Sequence, residues 1–411
     1  METELGRIPS HWEVGSFEED LKIQGRIGWK GYKTSDLVPI GPYVIGGGEI
    51  KSNIFLQLEH AQRISREKYN ESPEIMLKEG DVLLVTRGNL GEVGYYHGIY
   101  GEGTINPSVI ILNNFNGDSK FLFYYLISKQ GKANVLSLSS GSSVPAIYQA
   151  DVYTLKYPKP PIDEQTKISK IAFSIDLKID LLHRQNATLE KLAETLFRQW
   201  FVEEAKDDWE EIRLGSIVEI INGVSYKSDD LNSSKIAMVT LKNFDRNGGF
   251  RMDGYKEYTG KYKEQHILKE GDLVVAHTDI TQEADVIGNP VMAIGSSKYD
   301  TMVFSMDLVK VISKDENYSN EFLYLIMKSN EFKEHCLGYS NGSTVLHLSK
   351  KAVPEYEMKL PPYNLINDFS KMVKPLVEKQ FKNQTQISTL TTLRDTLLPK
   401  LMSGEVRVEP D

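Results

Sequence analysis

The feature that most constrains this 411-residue chain is a long segment that occurs twice. The stretch "LEKLAETLFRQWF" begins at Leu189, and a relative of it, "LTTLRDTLLPKLM", begins 201 residues later at Leu390. Shorter stretches also return, since "LKEGDVLL" becomes "LKEGDLVV" and "GSSVPAI" becomes "GSTVLHL". A repeat this long predicts a tandem duplication of one large unit, because the repeats of solenoid proteins span only about 20–50 residues.

The repeat predicts two domains and two helical segments that alternate along the chain. Each half begins with short β-rich runs separated by Gly, Asn and Asp turns, and it ends with a helical pattern after a Pro-Pro pair. We therefore predict an α+β protein. Two α/β domains are expected at residues 1–158 and 204–358, and helical segments at residues 159–203 and 359–411.

Both helical segments carry apolar residues at every seventh position, which is typical of a coiled coil. One row of the seam is predicted at Ile168, Ile175, Leu182, Leu189 and Leu196, and at Phe369, Leu376, Asn383, Leu390 and Leu397. The second row is predicted three residues further on, at Ile171, Lys178, Gln185, Leu192 and Gln199, and at Met372, Lys379, Gln386, Leu393 and Lys400. If a pseudo-two-fold axis relates the halves, the two helices pair antiparallel and act as a spacer.

Composition indicates an ordinary globular protein, with 40% hydrophobic and 26% charged residues. No apolar run approaches the roughly 20 residues of a membrane-spanning helix. The N-terminal stretch "METELGRIPSHWEV" lacks the basic and apolar regions of a secretory signal. The single cysteine, Cys336, cannot form an internal disulfide, which suits a reducing compartment. We expect a cytoplasmic protein that does not enter a membrane.

The motifs of common enzymes are absent from the sequence. It has no phosphate-binding loop, no His/Cys cluster at metal-binding spacing and no nucleophile elbow. The stretch "LPPY" at Leu360–Tyr363 is similar to the Asp/Asn-Pro-Pro-Tyr motif of amino-methylating enzymes, but Leu360 cannot accept a hydrogen bond from a target amine. We therefore predict a non-catalytic protein with no metal site and no cofactor of its own.

Loops rich in Gly, Ser, Thr, Asn, Arg and Lys occur at equivalent places in both halves. Such side chains, with glycines that permit close approach, contact phosphates and base edges in protein–DNA complexes. The candidates in the first half are Arg26, Lys30, Tyr32, Lys33, Arg87, Asn89, Thr104, Asn106, Ser140, Ser142 and Ser143. Those in the second half are Tyr226, Lys227, His277, Thr278, Asn341, Ser343 and Thr344. Plain surface turns are the alternative, and the net charge of −9 is unusual for a protein that binds nucleic acid alone.

Four stretches give the chain a resemblance to a known family. They are "EGDVLLVTRGNLGEVG", "PPIDEQTKI", "LFRQWFVE" and "LRDTLLPKLMSGEVRV", starting at Glu79, Pro160, Leu196 and Leu393. With "IPSHWEV" near the start, they make the chain similar to the specificity subunit of type I restriction–modification systems, over nearly its whole length.

The resemblance implies a DNA-recognition subunit with two target-recognition domains, each reading one half of a bipartite site in double-stranded DNA. It also implies that the helices set the spacing and dock two methyltransferase subunits, and that motor/nuclease subunits can join. S-adenosylmethionine, ATP and Mg would belong to those partners, which would also supply much of the phosphate contact. The helix residues expected to form the spacer and partner surface are Leu182, Leu189, Leu192, Leu196, Phe197, Trp200, Phe201, Leu390, Leu393 and Leu397.

The second half departs from the first in one of these loops. Where the first has "TRGN", the second has "HTDI", which puts Asp279 near the position of Arg87. We therefore expect the two halves to read different bases. The C-terminal tail is expected to pack near Trp12. The alternative functions are a scaffold unrelated to nucleic acid, or a methyltransferase or nuclease in its own right.

Overall fold

The structure is a computed structural model that describes residues 2–3, 5–26, 31–141, 145–246, 248–281, 283–342 and 345–408. The chain divides into two compact units. Unit 1 consists of Met1–Asp180 and Leu390–Asp411, and unit 2 consists of Leu181–Thr389. Each unit therefore contains one globular domain and a part of each long helix.

Unit 1 is built from two layers of sheet with helices against one of them. Its strands are β1 (Glu2–Thr3), β2 (Gly6–Arg7), β3 (Glu13–Ser16), β4 (Lys22–Gly25), β5 (Tyr43–Ile45), β6 (Val82–Val85), β7 (Val93–Tyr95), β8 (Gly103–Ile105), β9 (Val109–Asn113) and β10 (Lys156–Lys159). Its helices are α1 (Phe17–Asp20), α2 (Arg66–Asn70), α3 (Ser119–Ile127), α4 (Lys129–Ser137), α5 (Gln149–Tyr153) and the first part of α6 (Ile162–Arg198). An antiparallel sheet has the order β4-β9-β6-β7, and β5 pairs in parallel with β8.

The core of unit 1 forms where apolar strands meet an apolar helix. Strand β6, with the sequence VLLV, is buried along its whole length because both of its faces are covered. Helix α3 starts at the N-cap Asp118, whose carboxylate accepts hydrogen bonds from the backbone N–H groups of Lys120 and Phe121. Its residues from Phe121 to Leu126 are all buried in the core.

Unit 2 repeats this arrangement. Its strands are β11 (Glu210–Arg213), β12 (Val218–Asn222), β13 (Ile236–Val239), β14 (Lys256–Glu257), β15 (Ile267–Leu268), β16 (Leu273–Ala276), β17 (Thr278–Asp279), β18 (Pro290–Met292), β19 (Thr301–Phe304), β20 (Leu308–Ser313), β21 (Ser340–Asn341), β22 (Leu346–Leu348) and β23 (Glu357–Leu360). Its helices are α7 (Asn320–Met327), α8 (Asn330–Gly338) and parts of α6 and α9 (Tyr363–Met402). The antiparallel order β12-β20-β16-β18 matches that of unit 1, and β13 pairs in parallel with β19 as β5 does with β8. The predicted duplication is confirmed.

The two long helices run antiparallel in each unit, as predicted. In unit 1, Arg394 on α9 donates from Nη1 to Asp176 Oδ1 on α6 at 2.7 Å. In unit 2, Asn383 donates to Gln185 Oε1 at 2.8 Å, while the ring of Phe201 lies 4.8 Å from that of Phe369. Residue numbers on α9 thus fall as those on α6 rise.

The predicted second row of the helical seam is wrong. Its members Ile171, Lys178, Gln185, Leu192 and Gln199, with Met372, Lys379, Gln386, Leu393 and Lys400, are exposed. Buried residues instead follow the first row by four positions, as Ala172 and Ala193 do on α6 and Val373, Ile387 and Leu401 do on α9. Because a helix has 3.6 residues per turn, residues three and four positions after the first row lie on the same face of the helix as that row. The small alanines at the four-residue spacing allow the two helices to pack closely.

The C-terminal tail lies against the N-terminal segment within unit 1. Gly404 lies so close to Pro9 and Trp12 that a side chain at this position would meet Cγ of Pro9 and the indole of Trp12. Val408 packs against the same core. The prediction that the tail lies near Trp12 is confirmed. Among the described residues, no helix has the length and apolar character needed to cross a membrane.

Candidate nucleic-acid interface

In unit 1, the predicted loops meet at one end of the antiparallel sheet. The backbone N–H of Thr86 donates to Ser108 O at 2.8 Å, and that of Ile147 donates to Thr86 O at 3.1 Å. Asn89 donates from Nδ2 to Gly47 O at 3.1 Å. We call this group loop cluster 1; it comprises residues 46–48, 86–89, 104–108, 140–141 and 145–147.

Three predicted residues of unit 1 are exposed in loop cluster 1, while others support it. Arg87, Asn89 and Ser140 are exposed, and Lys33 is exposed on the neighbouring loop. Asn106 is half-buried, and its Oδ1 accepts hydrogen bonds from both the backbone N–H and the hydroxyl of Ser108. Lys30, Ser142 and Ser143 lie outside the described residues.

Arg26 and Thr104 are buried against each other rather than presented to solvent. Arg26 donates from Nε to Ile105 O at 2.8 Å and from Nη2 to Thr104 Oγ1 at 3.0 Å. Its guanidinium also lies 5.4 Å from the centre of the half-buried Tyr32 ring. Burial lowers the pKa of Arg26. In this structure the two side chains are buried within unit 1, where they support β8.

Unit 2 brings its own loops together in the same way. The His277 backbone N–H donates to Asp307 O at 2.7 Å, and Met306 N donates to Val224 O at 2.8 Å. Thr278 pairs with His347, which also pairs with Asn341, so that Thr278–Asp279, Leu346–Leu348 and Ser340–Asn341 form one small sheet. We call this group loop cluster 2; it comprises residues 222–227, 277–281, 304–308, 340–342 and 345–348.

The predicted residues of loop cluster 2 also differ in exposure. Lys227 and Asn341 are exposed, and Tyr226 is half-buried with its hydroxyl 3.2 Å from Lys256 Nζ. Thr278 is buried and donates from its hydroxyl to Asp307 Oδ1 at 3.2 Å, so it supports the loop. His277 is half-buried, and burial together with the charges of Lys350 and His347 lowers its pKa. Ser343 and Thr344 lie outside the described residues.

Strand pairing places Thr278, rather than Asp279, at the position of Arg87. Arg87 pairs with Ala146, and Thr278 pairs with His347, which follows Ala146 by 201 residues. Asp279 therefore corresponds to Gly88. Its buried carboxylate accepts hydrogen bonds from Thr281 N, Thr281 Oγ1, Val286 N and Ile287 N at 2.9, 2.9, 2.7 and 3.1 Å. Burial alone would raise the pKa of Asp279, but these hydrogen bonds outweigh it and lower the pKa.

Two lysines that the sequence reasoning missed bind the chain segments that follow these loops. Lys132 on α4 forms an ion pair with Glu92 at 2.9 Å, just after the "TRGN" loop. Lys333 on α8 is 201 residues later, and its ammonium donates to Ala284 O, Ile287 O and Asn289 Oδ1 at 2.9, 2.6 and 2.8 Å. The sequence signal that could have identified Lys132 and Lys333 is that they occupy equivalent positions in the repeat.

Most of the helix residues predicted to form the partner surface are half-buried within their own unit. Leu182 is buried, Leu189 and Leu390 are half-buried, and Leu397 packs against the core of unit 1. The half-buried side chains that pack against the core of unit 2 are Leu196, Phe197, Trp200 and Phe201. Leu192 and Leu393, which are equivalent in the repeat, remain 45% and 48% exposed.

Over the part of the chain that the structure describes, no group of three or more His, Cys, Asp or Glu side chains could hold a metal ion. Cys336 is buried, and burial raises the pKa of its thiol to about 12. Two units of one topology, each with a distinct cluster of polar loops and a share of an antiparallel helix pair, define a duplicated recognition protein.

Comparison with known proteins identifies the family. Residues 21–191 and 206–389 both match the family model described as the type I restriction modification DNA specificity domain. Since these matches cover most of the chain, it belongs to that family. The protein is thus a non-catalytic DNA sequence-recognition subunit, as the sequence predicted, and the comparisons give no support to the scaffold or enzyme alternatives.

Individual relatives extend over nearly the whole chain. The type I restriction enzyme MjaIX specificity subunit of Methanocaldococcus jannaschii is 25% identical, over 99% of this chain and 96% of the relative. The MjaVIII specificity subunit of the same organism is 23% identical, over 98% and 95%. The crystal structure of a type I restriction–modification system S subunit from M. genitalium shares the fold, with a TM-score of 0.63, 18% identity and coverage of 98% of this chain and 97% of that one.

Proposed function

We propose that loop cluster 1 reads one half of a bipartite DNA sequence and that loop cluster 2 reads the other half. The observation that carries the proposal is that one fold presents different side chains at equivalent positions. Arg87 corresponds to Thr278, and Ala146 corresponds to His347. Because base edges are distinguished by their donors, acceptors and methyl groups, such differences change which bases are accepted.

The proposal divides the predicted residues into two roles. The exposed Arg87, Asn89, Lys33, Lys227 and Asn341 contact bases or phosphates. The buried Arg26, Thr104 and Thr278 hold the loops in shape through hydrogen bonds inside their own unit. We extend the first role to Lys30, Ser142, Ser143, Ser343 and Thr344 on the basis of the sequence alone.

We further propose that α6 and α9 set the separation of the two half-sites and that each docks one modification (methyltransferase) subunit. Leu192 and Leu393 support this, since two equivalent exposed leucines suit two copies of one partner. S-adenosylmethionine, ATP and Mg are then used by the modification subunits and by the motor/nuclease subunits. These partners also supply part of the phosphate contact that a chain of net charge −9 lacks. The proposed role places the protein in the cytoplasm, where the DNA is.

The test is the sequence methylated by the assembled complex. Arg87→Ala should relax or abolish one half of the recognised sequence and leave the other half unchanged. Loss of a base-contacting arginine costs about 1–3 kcal/mol, or roughly 5- to 150-fold in affinity. The measurement is methylome sequencing of a host that carries the system.

A matched control is Arg66→Ala, which removes an exposed arginine of unit 1 that pairs with Glu102 outside loop cluster 1. This control should leave both halves of the sequence intact. A change in the bases required in both halves of the sequence in the Arg87 variant would contradict the division of reading between the two loop clusters.

A further inference from the structure

An exposed isoleucine stands in the middle of a polar loop of loop cluster 2. Ile280 follows β17 and is 75% exposed, although both of its neighbours, Asp279 and Thr281, are polar. By sequence alignment of β6 with β16, the corresponding residue of unit 1 is Asn89. An exposed, β-branched apolar side chain at a proposed base-reading position therefore distinguishes unit 2 from unit 1.

The loop that follows Ile280 is held in place by hydrogen bonds. The buried Asp279 carboxylate accepts the four hydrogen bonds from Thr281, Val286 and Ile287. Lys333, which is half-buried, donates to the carbonyls of Ala284 and Ile287. The loop that exposes Ile280 is thus held by one buried carboxylate and one half-buried ammonium group.

The charged side chains near Ile280 are compatible with the approach of DNA. The Asp279 carboxylate is buried and accepts the four hydrogen bonds described above, and Asp285 Oδ2 lies 3.4 Å from Arg246 Nη1. His347, which pairs with the preceding Thr278, is exposed, and Lys350 on the same segment is exposed as well. Glu283 is an exposed carboxylate on the loop, three residues beyond Ile280.

We propose that Ile280 is a specificity-determining residue that contacts the 5-methyl group of a thymine in the half-site read by unit 2. An isoleucine side chain has no donor or acceptor, and the thymine methyl is the apolar group that a base presents in the major groove. Ile280 thus selects one T·A pair by apolar contact. This inference depends on the proposed function, because it requires loop cluster 2 to face DNA.

Replacement of thymine by uracil tests the contact directly, since uracil lacks only the methyl group. The full chain, assembled with its modification subunits, would be titrated with duplexes of the recognised sequence in which each thymine is replaced in turn. Loss of one methyl contact should weaken binding by the unmodified protein about fourfold at one position. The variant Ile280→Ala should bind the thymine duplex about fourfold more weakly, and it should lose nothing more at that position with uracil.

The control is Ile99→Ala, because Ile99 is 79% exposed but follows the end of β7 that pairs with the start of β6, away from loop cluster 1. This variant should keep the uracil effect in full. Sequence-specific binding with no uracil effect, or with the same effect in the Ile280 variant, would overturn the role of Ile280 and leave the proposed function standing. Absence of any sequence-specific binding by the unmodified complex would overturn the proposed function instead.

Discussion

The Glu-Gly-Asp turn occurs in both units, but a difference between the units at a neighbouring strand position changes the pKa of its aspartate. Gly80 and Gly271 have φ values of 91° and 86°, which side chains other than glycine rarely adopt. Asp272 forms an ion pair with Lys310 at 2.6 Å. Strand pairing places Ile111 at the position of Lys310 in unit 1, so Asp81 lacks this partner. Burial accordingly raises the pKa of Asp81 from 3.8 to about 6.

The raised pKa of Asp81 predicts that unit 1 becomes less stable as the pH rises from about 4 to about 6. The folded state binds this proton more tightly than the unfolded state, so the stabilising contribution is complete below 3.8 and is lost as the pH passes through about 6. Above that pH, the charged carboxylate costs on the order of 1–3 kcal/mol. Asp81→Asn should remove this loss, as measured by hydrogen exchange of the β6 amides between pH 4 and 8.

Asp272→Asn provides the comparison, because it leaves Lys310 without its partner in unit 2. We expect it to weaken protection of the β16 amides at pH 7, in contrast to the effect of Asp81→Asn on β6. Parallel pH profiles for the Asp81 variant and the unmodified chain would show that this carboxyl is not the source of the pH dependence.

Sequence reasoning found polar loop residues but could not separate those that face solvent from those that are buried and make hydrogen bonds inside the fold. Arg26 bonds to Thr104 and Ile105, which are about 80 residues away in the chain. Thr278 bonds to Asp307, 29 residues away. Residue type and local pattern carry no information on such long-range partners. The convergence of the loops into two clusters was unpredictable for the same reason.

For the long helices, the seven-residue repeat predicted where they lie and how they pair, but it did not define the buried face. A heptad pattern allows a second row three or four positions after the first, and the sequence did not show that the row at four positions, which includes Ala172, Ala193 and Val373, is the buried one. Asn383 is fully buried and donates to both Gln185 Oε1 and Asn186 Oδ1 at 2.8 Å. Polar groups at such positions fix the register of a helix pair at some cost in stability.

Each unit ties its share of the helix pair to a short helix through a tyrosine and a carboxylate. In unit 1, Tyr124 on α3 donates to Asp176 Oδ2 at 2.7 Å, and Arg394 binds Oδ1 of the same carboxylate. Burial, then the negative charge of Asp176, raises the pKa of Tyr124. In unit 2, Tyr324 donates to Glu190 at 2.6 Å. Lys328 pairs with the same carboxylate.

We predict that Arg394→Met destabilises unit 1 by about 3 kcal/mol, because it leaves the buried Asp176 carboxylate without its cation. The second change Asp176→Asn should recover part of this loss, since a neutral amide still accepts from Tyr124. The measurement is the free energy of unfolding of unit 1, obtained from hydrogen exchange of the α3 amides at increasing denaturant concentrations. A loss as large in Arg394→Lys as in Arg394→Met would show that packing, rather than charge, is responsible.

The duplication was the most predictable property of the whole molecule, because it is written in equivalent stretches that recur about 200 residues apart. The division of α6 and α9 between the two compact units was not predictable. A repeat shows which segments are alike, but it does not show which segments pack together when they are far apart in the chain.

The proposed spacer role predicts that lengthening both helices together changes only the gap between the half-sites. One heptad would be inserted in α6 after Asp180 and another in α9 after Thr389, so that the seam stays in register. Seven residues add about 10 Å of helix, which corresponds to roughly three base pairs of DNA. Methylome sequencing should show a longer gap and unchanged bases on either side.

Insertion in α6 alone is the control, since it shifts one helix against the other and should abolish methylation. A functional double insertion with an unchanged gap would show that some other element sets the distance between the half-sites.

The discontinuity of unit 1 has a consequence for synthesis on the ribosome. Its core includes Leu398, Leu401 and Met402, which are translated more than 200 residues after the rest of the unit. At about 5–20 residues per second, the first domain waits some tens of seconds for them. Unit 2, which is one continuous stretch, has all its residues sooner. The domain that emerges first is therefore the one that matures last, and a chain broken off before α9 is complete leaves an apolar surface open to chaperones and proteases.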